Sequence, residues 1–405
     1  MTHVLIIGIV WPEPKSSAAG SRMMQLIHLF LAQDYKVTFA TATAKSENAF
    51  DLESIGVAEV AITLNSESFD AFASALNPAI VIFDRFMIEE QFGWRIAEHC
   101  PNALRILDTE DLHSLRRGRQ QAFKNKVEFD DSYLFNDTAK REIASIYRCD
   151  LSLIISEVEM DLLKTKFKVA ESLLYYLPFM QSSIDEVAVS KFPDFEEREH
   201  FVTIGNFLHE PNYNMVLYLK DTIWPLIKAE LPKVELHVYG AYASQKVTQL
   251  HNKKERFIIK GFAESVDEVM KNARVCVAPI RFGAGLKGKL FDAMKNGTPY
   301  VTTAVGAEGI TGVKSYNDAQ AFADQAILLY KERLLWKNEQ EIGVSVVNTG
   351  FDITILAPLF LERIATLKKD LKAHRMANFT GQILQHHSLQ STKYMSKWIE
   401  VKNKL

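Results

Sequence analysis

Residues 279–310 read PIRFGAGLKGKLFDAMKNGTPYVTTAVGAEGI: the end of an apolar strand, a glycine-rich loop and an amphipathic helix. Gly283, Gly285 and Gly288 spell G-x-G-x-x-G, the dinucleotide fingerprint. Residues 283–289 also spell G-x-x-x-x-G-K, a Walker A loop without its final Ser or Thr. Both patterns bind phosphate, but they belong to different folds, so the surrounding sequence has to decide between them.

The surrounding sequence supports neither pattern in full. Position 290 is Leu, where a Walker A loop needs a hydroxyl for Mg²⁺, and Leu286, Leu290 and Met294 share the buried face of a predicted helix. A dinucleotide fingerprint normally occupies the first strand-to-helix turn of its domain, but this loop follows a fourth strand. An ordinary glycine-rich turn remains the alternative to a phosphate site.

Basic residues around the loop favour the phosphate site. Lys287 and Lys289 occupy the first turn of the predicted helix, and Arg281 comes just before the loop. Cations at the amino end of a helix oppose its dipole, which favours anions there. A bound anion would remove this conflict, with free backbone N–H groups adding to the attraction. The alternative is that the lysines point into water.

The composition is that of a globular protein without a strong global charge. The chain has 405 residues, 47% of them hydrophobic and 24% charged, with a formal net charge of −3. This balance gives no reason to expect nucleic acid as a partner. Three cysteines without metal or disulfide spacing suggest reduced thiols and a cytoplasmic protein. No apolar run approaches the ~20 residues of a membrane span.

Short apolar runs alternate with amphipathic segments along the chain, which predicts an α/β protein with parallel sheets. The predicted strands are 3–9, 36–42, 58–64, 79–84, 103–108, 151–156, 200–206, 234–240, 256–261, 273–280 and 299–303. The polar stretch SKFPDFEERE at 190–199 interrupts this rhythm. We therefore predict an N-terminal domain at 1–190, a C-terminal domain at 200–375, and a helical segment at 376–405 that packs back on the N-terminal domain.

The segment 279–310 resembles the donor-binding segment of GT-B glycosyltransferases of the retaining family 4, or glycosyl transferases group 1. The resemblance rests on Asp292-Ala293-Met294, Gly297-Thr298-Pro299 and Gly306-Ala307-Glu308-Gly309. Residues 204–227 and 258–279 resemble the preceding units of the same domain. In the N-terminal half, residues 12–41 resemble the opening of the acceptor domain, and residues 106–121 resemble an Asp-rich loop with an active-site His.

The resemblance implies a GT-B fold, in which two Rossmann-like domains face a central cleft. It implies transfer of a sugar from a nucleotide-diphosphate sugar, with retention, to a glycan, glycolipid or polysaccharide precursor. The resemblance implies His113 as the catalytic residue for the sugar and Asp292 as the one for the ribose. We assign catalytic stabilisation of the leaving diphosphate to Lys287, with Arg281 and Lys289 beside it as donor-binding residues, and expect that these cations remove the need for a metal or other cofactor. The further donor-binding residues are Gly283, Gly285, Ala307, Glu308 and Gly309. The implied acceptor-side residues are Gly20, Arg22, Asp108 and Asp111.

Two positions depart from the family pattern. The family commonly has two Glu residues in this segment; Asp292 corresponds to the second and Ala284 to the first. The usual Arg and Lys after the first C-terminal strand are absent, since Asn206 follows Gly205. A non-catalytic GT-B protein that binds a nucleotide or a partner, or another GT-B enzyme such as a nucleotide-sugar epimerase, is the alternative function.

A basic run, HSLRRGRQQAFKNK at 113–126, is the remaining feature. It could receive an anionic acceptor or a lipid surface, which would place the protein at the inner face of a membrane. Charge runs more often form a solvated helix face, and we predict that here.

Overall fold

Two parallel β-sheets form the framework of the protein. The computed structural model describes residues 2–404, except for the side chains of residues 388 and 389. The N-terminal sheet has the order β3-β2-β1-β4-β5-β6-β7. Its strands are β1 (His3–Ile7), β2 (Lys36–Thr41), β3 (Ala58–Ala61), β4 (Ile80–Asp84), β5 (Leu104–Asp108), β6 (Leu151–Ile154) and β7 (Leu174–Tyr176).

The C-terminal sheet has five strands in the order β10-β9-β8-β11-β12. These are β8 (Glu199–Ile204), β9 (Leu236–Tyr239), β10 (Phe257–Gly261), β11 (Ala273–Ala278) and β12 (Tyr300–Thr302). Each predicted strand segment overlaps one of the observed strands, because apolar runs buried on both faces suit parallel sheets. The three-residue strand β7 was not predicted, since so short a segment shows no periodicity.

Helices cover both faces of the N-terminal sheet. They are α1 (Ala18–Leu31), α2 (Glu67–Leu76), α3 (Phe86–His99), α4 (His113–Asn125), α5 (Asp131–Leu134), α6 (Asp137–Arg148) and α7 (Glu157–Thr165). Helix α1 illustrates the local logic: the Ser17 side chain accepts a hydrogen bond from the Gly20 amide at 3.0 Å, and apolar side chains from Met23 to Phe30 face the core.

The short helix α8 (Glu186–Val189) lies in the connection to the second domain. The helices of that domain are α9 (Glu210–Tyr218), α10 (Trp224–Glu230), α11 (Gln245–Thr248), α12 (Val266–Asn272), α13 (Gly288–Lys295), α14 (Ala304–Ala307), α15 (Ala319–Lys331) and α16 (Arg333–Gly350). A π-helical turn at Leu219–Ile223 joins α9 to α10.

The chain then returns to the N-terminal domain through α17 (Ile353–Lys369), α18 (Leu371–Ala377) and α19 (Phe379–Lys404). Phe360, Ile364 and Leu367 of α17 are buried in the N-terminal core, so the return begins at Ile353 rather than at 376. Helix α19 packs against α3 and α6, where Arg95 donates hydrogen bonds to Ser396 and Glu400. None of the described helices is long and apolar enough to cross a membrane.

Loops that follow the strands of the two sheets meet in a cleft between the domains. Tyr242, after β9, donates a hydrogen bond to Glu13 at 2.8 Å, and Lys15 lies 3.6 Å from Glu264. Parallel strands present their carboxyl ends at one edge, and that edge of each sheet carries these loops. Residues from both domains are thereby collected at one place.

Candidate active site

The glycine-rich loop between β11 and α13 lies directly against the N-terminal domain. Gly285 has φ +63°, and a Cβ at this position would lie 2.9 Å from the Cβ of Asp111. A Cβ on Gly288 would lie 2.5 Å from the Cβ of Ala18. The glycines of this loop therefore permit close contact between the two domains.

Neither lysine of the loop points into water. The Lys287 Nζ donates hydrogen bonds to the carbonyl oxygens of Ala284 at 3.2 Å and Gly285 at 2.6 Å. The Lys289 Nζ donates to the Asn212 side chain at 2.8 Å. Burial lowers the pKa of Lys287, and it lowers the pKa of Lys289 to about 8. The alternative of solvated lysines is thus wrong, and two partly desolvated cations lie at the start of α13.

Glu159 of α7 joins the loops of the two domains. Its Oε1 accepts hydrogen bonds from the Gly285 amide at 2.8 Å and the Leu112 amide at 3.0 Å. The side chain is almost completely buried, and Oε2 has no hydrogen-bond partner among the described residues. Burial, with the nearby charge of Asp111, raises the pKa of Glu159 to about 8. The Gly285 amide, predicted to bind phosphate or sugar, is thus occupied by a protein carboxyl group.

The Asp-rich loop after β5 faces the glycine-rich loop across the cleft. His113 begins α4, is buried, and stands edge-on to Phe86 with ring centroids 5.5 Å apart. Its Nε2 lies 3.5 Å from Asp111 Oδ1 and has no hydrogen-bond partner in the described part of the chain. Burial lowers the pKa of His113 to about 3, so the imidazole is neutral at physiological pH. Asp111 also pairs with Arg116.

The basic run at 113–126 is only partly a solvated face. Arg119 donates a hydrogen bond to the Gly283 carbonyl oxygen at 2.8 Å and pairs through both Nη atoms with Glu308. Arg116 and Arg119 therefore face the cleft, while Lys124 and Lys126 are exposed. The prediction of a solvated face is wrong for the two arginines, because the cleft side of α4 lies beside acidic side chains: Arg116 pairs with Asp111, and Arg119 pairs with Glu308 of the other domain.

Three of the predicted acceptor-side residues hold the N-terminal domain together. The Arg22 guanidinium is 3.1 Å from Asp108 Oδ1, and both side chains are buried. Arg22 also donates to the carbonyl oxygens of Leu177 and Pro178. A Cβ on Gly20 would lie 2.3 Å from the Glu13 carbonyl oxygen, so the backbone leaves room only for glycine. In this structure Arg22 and Asp108 satisfy each other, and Asp111 is the member of the set that reaches the cleft.

The remaining predicted donor residues lie in two environments. The Arg281 guanidinium lies over the rings of Phe123 and Tyr218, at 4.6 and 4.4 Å from their centroids, and donates to Asn214 at 2.9 Å. Asp292 lies 3.4 Å from Lys295, and burial raises the pKa of Asp292. Arg281 is thus already held by aromatic and amide contacts, and the roles of both residues toward a donor stay predictions.

Backbone amides near β12 differ in their availability. The Ala307 amide donates to the Thr303 carbonyl oxygen at 2.9 Å inside the short helix α14, so it is not free for a ligand. Within residues 2–404, the backbone amides of Glu308 and Gly309 have no hydrogen-bond acceptor. A Cβ on Gly309, where φ is +75°, would lie 2.8 Å from Ser156 Oγ of the N-terminal domain. Two of the three predicted amides therefore remain candidates for binding an oxygen.

The family model for Glycosyl transferases group 1 matches residues 198–332, which lie in the C-terminal domain. The structure is similar to that of Anabaena HepE in complex with UDP and glucose, with a TM-score of 0.68 and 11% identity over 91% of this chain and 100% of that chain. Both are built from two facing Rossmann-like domains. The chain has the GT-B fold.

Two further GT-B structures are similar over different shares of their length. Sucrose-phosphate synthase from Thermosynechococcus elongatus has a TM-score of 0.64 and 16% identity, over 92% of this chain and 100% of that chain. A mutant of S. aureus TarM, in complex with fondaparinux, α-GlcNAc-glycerol and UDP, has a TM-score of 0.55 and 15% identity. The alignment covers 74% of this chain but 58% of the TarM chain. No curated protein matches in sequence.

Several residues of this GT-B cleft were not predicted from the sequence. Glu159 gave no local signal, and the basic run 113–126 did not indicate that Arg119 pairs with Glu308, because these contacts join residues more than 120 positions apart. His209, at the amino end of α9, is exposed and lies within electrostatic range of Asp111, Arg116, Lys287 and Lys289. Its position just after β8, where a GT-B domain carries its first strand-to-helix turn, is the one signal that could have identified it.

In the described part of the chain, no group of three or more His, Cys, Asp or Glu side chains is arranged for metal binding. The three cysteines are buried free thiols. Charged side chains that converge on this cleft are Lys287, Lys289, Arg116 and Arg119, together with the acids Asp111 and Glu308. Desolvation lowers the pKa of His209 to about 4 and raises the pKa of Glu159 to about 8, so both are uncharged near neutral pH.

Proposed function

We propose that the protein is a glycosyltransferase that takes a sugar from a nucleotide-diphosphate sugar bound against its C-terminal domain. The observation that carries this proposal is the pair of desolvated lysines, Lys287 and Lys289, at the amino end of α13 in the cleft of a GT-B fold. Helix amino ends and lysines both attract phosphate. The match of the C-terminal domain to Glycosyl transferases group 1 supports the same donor class.

The lysines would neutralise the charge that grows on the leaving diphosphate. Preorganised cations in a site that excludes water contribute several kcal/mol to such a step. Lys287 is now bound to the carbonyl oxygens of its own loop, so donor binding would exchange these contacts for phosphate oxygens. Lys289 would act beside it, with Asn212 orienting its ammonium group. Independence from a metal is proposed on this basis.

The other predicted roles are retained as parts of the proposal. Asp292 would accept hydrogen bonds from the ribose hydroxyls, and the free amides of Glu308 and Gly309 would donate to sugar or phosphate oxygens. His113 would contact the sugar from the N-terminal domain through its unpaired Nε2. Retention of configuration rests on the family resemblance.

The acceptor would enter from the N-terminal side of the cleft. HepE and TarM were crystallised with UDP, and TarM also with glycan ligands, which supports a uridine nucleotide as the first donor to test and a glycan or glycolipid as the acceptor class. A cytoplasmic location, and contact with a membrane through a lipid-linked acceptor, complete the proposal.

A second candidate is a GT-B protein that binds a nucleotide without transferring a sugar. Ala284 provides no carboxylate, and its side chain is buried among apolar residues of the N-terminal domain. A nucleotide-binding protein of this kind would be stabilised by its nucleotide but would neither hydrolyse nor transfer from the corresponding sugar.

The donor site is tested by measuring the melting temperature of the protein in the presence of UDP, GDP, ADP and CMP. A hydrolysis assay then uses the nucleotide sugars of whichever nucleotide stabilises the protein. We expect one nucleotide to raise the melting temperature of the wild type. The same nucleotide should have no such effect on the Lys289→Ala variant. The matched control is Lys253→Ala, since Lys253 is exposed in the same domain and has no ion pair in the described part of the chain. No stabilisation by any nucleotide would contradict the donor site.

A further inference from the structure

A second cavity lies far from the cleft, between the N-terminal domain and the returning C-terminal helices. It has a volume of about 600 Å³, within the size range of small-molecule sites. Arg105 near the amino end of β5 and Asp150 just before β6 line it on one side, and α17, α18 and the start of α19 line it on the other. The cleft is built on the opposite, carboxyl edge of this sheet, so the two sites are separate.

The lining of this cavity is strongly basic. Six cationic side chains and one carboxylate contribute to it, namely Arg105, Arg148, Lys368, Lys369, Lys372, Arg375 and Asp150. Two of the cations are already matched, because Arg148 pairs with the buried Glu89 and Arg375 makes two 2.7 Å hydrogen bonds to Asp150. The positive charge that remains comes from Arg105 and the three lysines.

Arg105 is the buried member of this set. Its side chain is 7% exposed, and its Nε has no hydrogen-bond partner among the described residues. The nearest carboxylate is Asp150, whose Oδ2 lies 3.7 Å from that Nε but is already bonded to Arg375. Two guanidinium groups thus share one carboxylate. A buried cation without full compensation is costly unless another anion completes its environment.

The three lysines extend this charge to the mouth of the cavity. Lys368 and Lys369 end α17, and Lys372 follows on α18. All three are exposed, and none forms an ion pair within residues 2–404. Together they give the cavity a buried guanidinium at one side and exposed ammonium groups at its rim. Phosphate is the anion that suits this arrangement, because Arg binds it through directed hydrogen bonds and Lys through point charges.

We infer that this basic cavity binds a phosphate-bearing anion, held by Arg105 on the inside and by Lys368, Lys369 and Lys372 at the rim. The ligand is either a soluble phosphate compound or the headgroup of an anionic lipid. The site is formed only when α17 and α18 pack on the N-terminal domain, so its ligand would also stabilise that packing. It is independent of the proposed donor site, which lies on the C-terminal domain and faces the opposite, carboxyl edge of this N-terminal sheet.

The experiment compares two triple variants of the full chain. Lys368→Ala/Lys369→Ala/Lys372→Ala removes the rim of the cavity. Lys246→Ala/Lys253→Ala/Lys254→Ala removes the same charge from exposed positions of the C-terminal domain and serves as the control. Both variants keep the cleft intact, so any phosphate bound there contributes equally. Pyrophosphate binding is measured by calorimetry, and vesicle binding is measured by flotation with phosphatidylcholine alone or with added phosphatidylglycerol.

We expect the cavity variant to lose roughly tenfold or more in affinity for one of the two probes, because it lacks three charge-assisted contacts, while the control variant behaves as the wild type. A loss of pyrophosphate binding would assign a soluble phosphate ligand. A loss confined to phosphatidylglycerol vesicles would assign a lipid headgroup. Equal binding of both probes by the cavity and control variants would overturn the inference.

Arg105→Gln provides a second measurement, since glutamine keeps hydrogen-bonding capacity without the charge. Circular dichroism first establishes that this variant is folded. We expect it to reduce binding of the same probe as the rim variant. If instead Arg105→Gln bound that probe as well as the wild type does, the buried guanidinium would have no part in the site and the inference would fail.

Discussion

Arg119 of the N-terminal domain and Glu308 of the C-terminal domain form an ion pair through both guanidinium Nη atoms, each 2.6 Å from a carboxylate oxygen. The side chains are 14% and 21% exposed, so the pair is largely shielded from water. It lies beside the glycine-rich loop, since Arg119 also binds the Gly283 carbonyl oxygen. This pair therefore ties the glycine-rich loop and the segment after β12 to α4 of the N-terminal domain.

The first prediction concerns the strength of this pair. A double-mutant cycle with Arg119→Ala and Glu308→Ala should give a coupling of about 1–2 kcal/mol in urea unfolding, because the two charges are in direct contact and partly desolvated. The exposed pair Lys140–Asp137 serves as the control and should show no measurable coupling. Additive effects of Arg119→Ala and Glu308→Ala would contradict a closure contact.

The second prediction concerns the close approach at Gly288. Gly288→Ala should hold the domains apart, because its Cβ would lie 2.5 Å from that of Ala18. We expect a larger radius of gyration by small-angle X-ray scattering. We also expect turnover of the nucleotide sugar that the protein uses to be slower by roughly tenfold or more. Ala18→Gly in the same chain should restore both. Gly350→Ala, where a Cβ meets nothing within 4 Å, is the control.

The third prediction concerns the pH dependence of stability through Glu159. Its pKa is raised from an ordinary 4.5 to about 8 by burial, so the folded state binds a proton that the unfolded state has released between these values. The contribution of Glu159 to the free energy of unfolding is therefore fully present below pH 4.5. It declines as the pH rises to 8, by up to about 1.4 kcal/mol per pH unit.

Glu159→Gln should remove this decline, since glutamine can keep the two hydrogen bonds to the Gly285 and Leu112 amides without ionising. The free energy of unfolding of both proteins is measured by urea denaturation from pH 5 to pH 8. As the pH rises, the variant should become progressively more stable than the wild type. A difference that stays constant over this range would show that Glu159 is ionised in the folded protein.

The fourth prediction separates the roles of Lys287 and Asp292. Lys287→Ala should reduce kcat by roughly 100-fold, the size of effect seen when a preorganised charge-stabilising group is lost, while the protein stays folded. Asp292→Ala should act mainly on donor affinity, because a ribose contact is made before and during the reaction. If Lys287→Ala left kcat unchanged, or if Asp292→Ala bound the nucleotide as tightly as wild type, the corresponding role would be wrong.

The sequence alone determined the two-domain α/β architecture, and its resemblance to glycosyl transferases group 1 implied the GT-B fold. Apolar runs, the polar break at 190–199 and the glycine and lysine positions of 279–310 are local features, and local features are sufficient to specify strands, helices and the loops between them. The sequence also predicted that the segment 279–310, with Lys287, Lys289 and Asp292, belongs to the donor site, because these residues are close together in the chain.

Only the tertiary structure decided which charged groups meet. Arg119 and Glu308 are separated by 189 positions, and Glu159 and Gly285 by 126, so no pattern along the chain relates them. The structure also showed that Arg22 and Asp108 satisfy each other and that the loop glycines allow domain contact. Burial and pairing depend on how the two sheets face one another, and the free energy of a charged side chain is set by those distant neighbours.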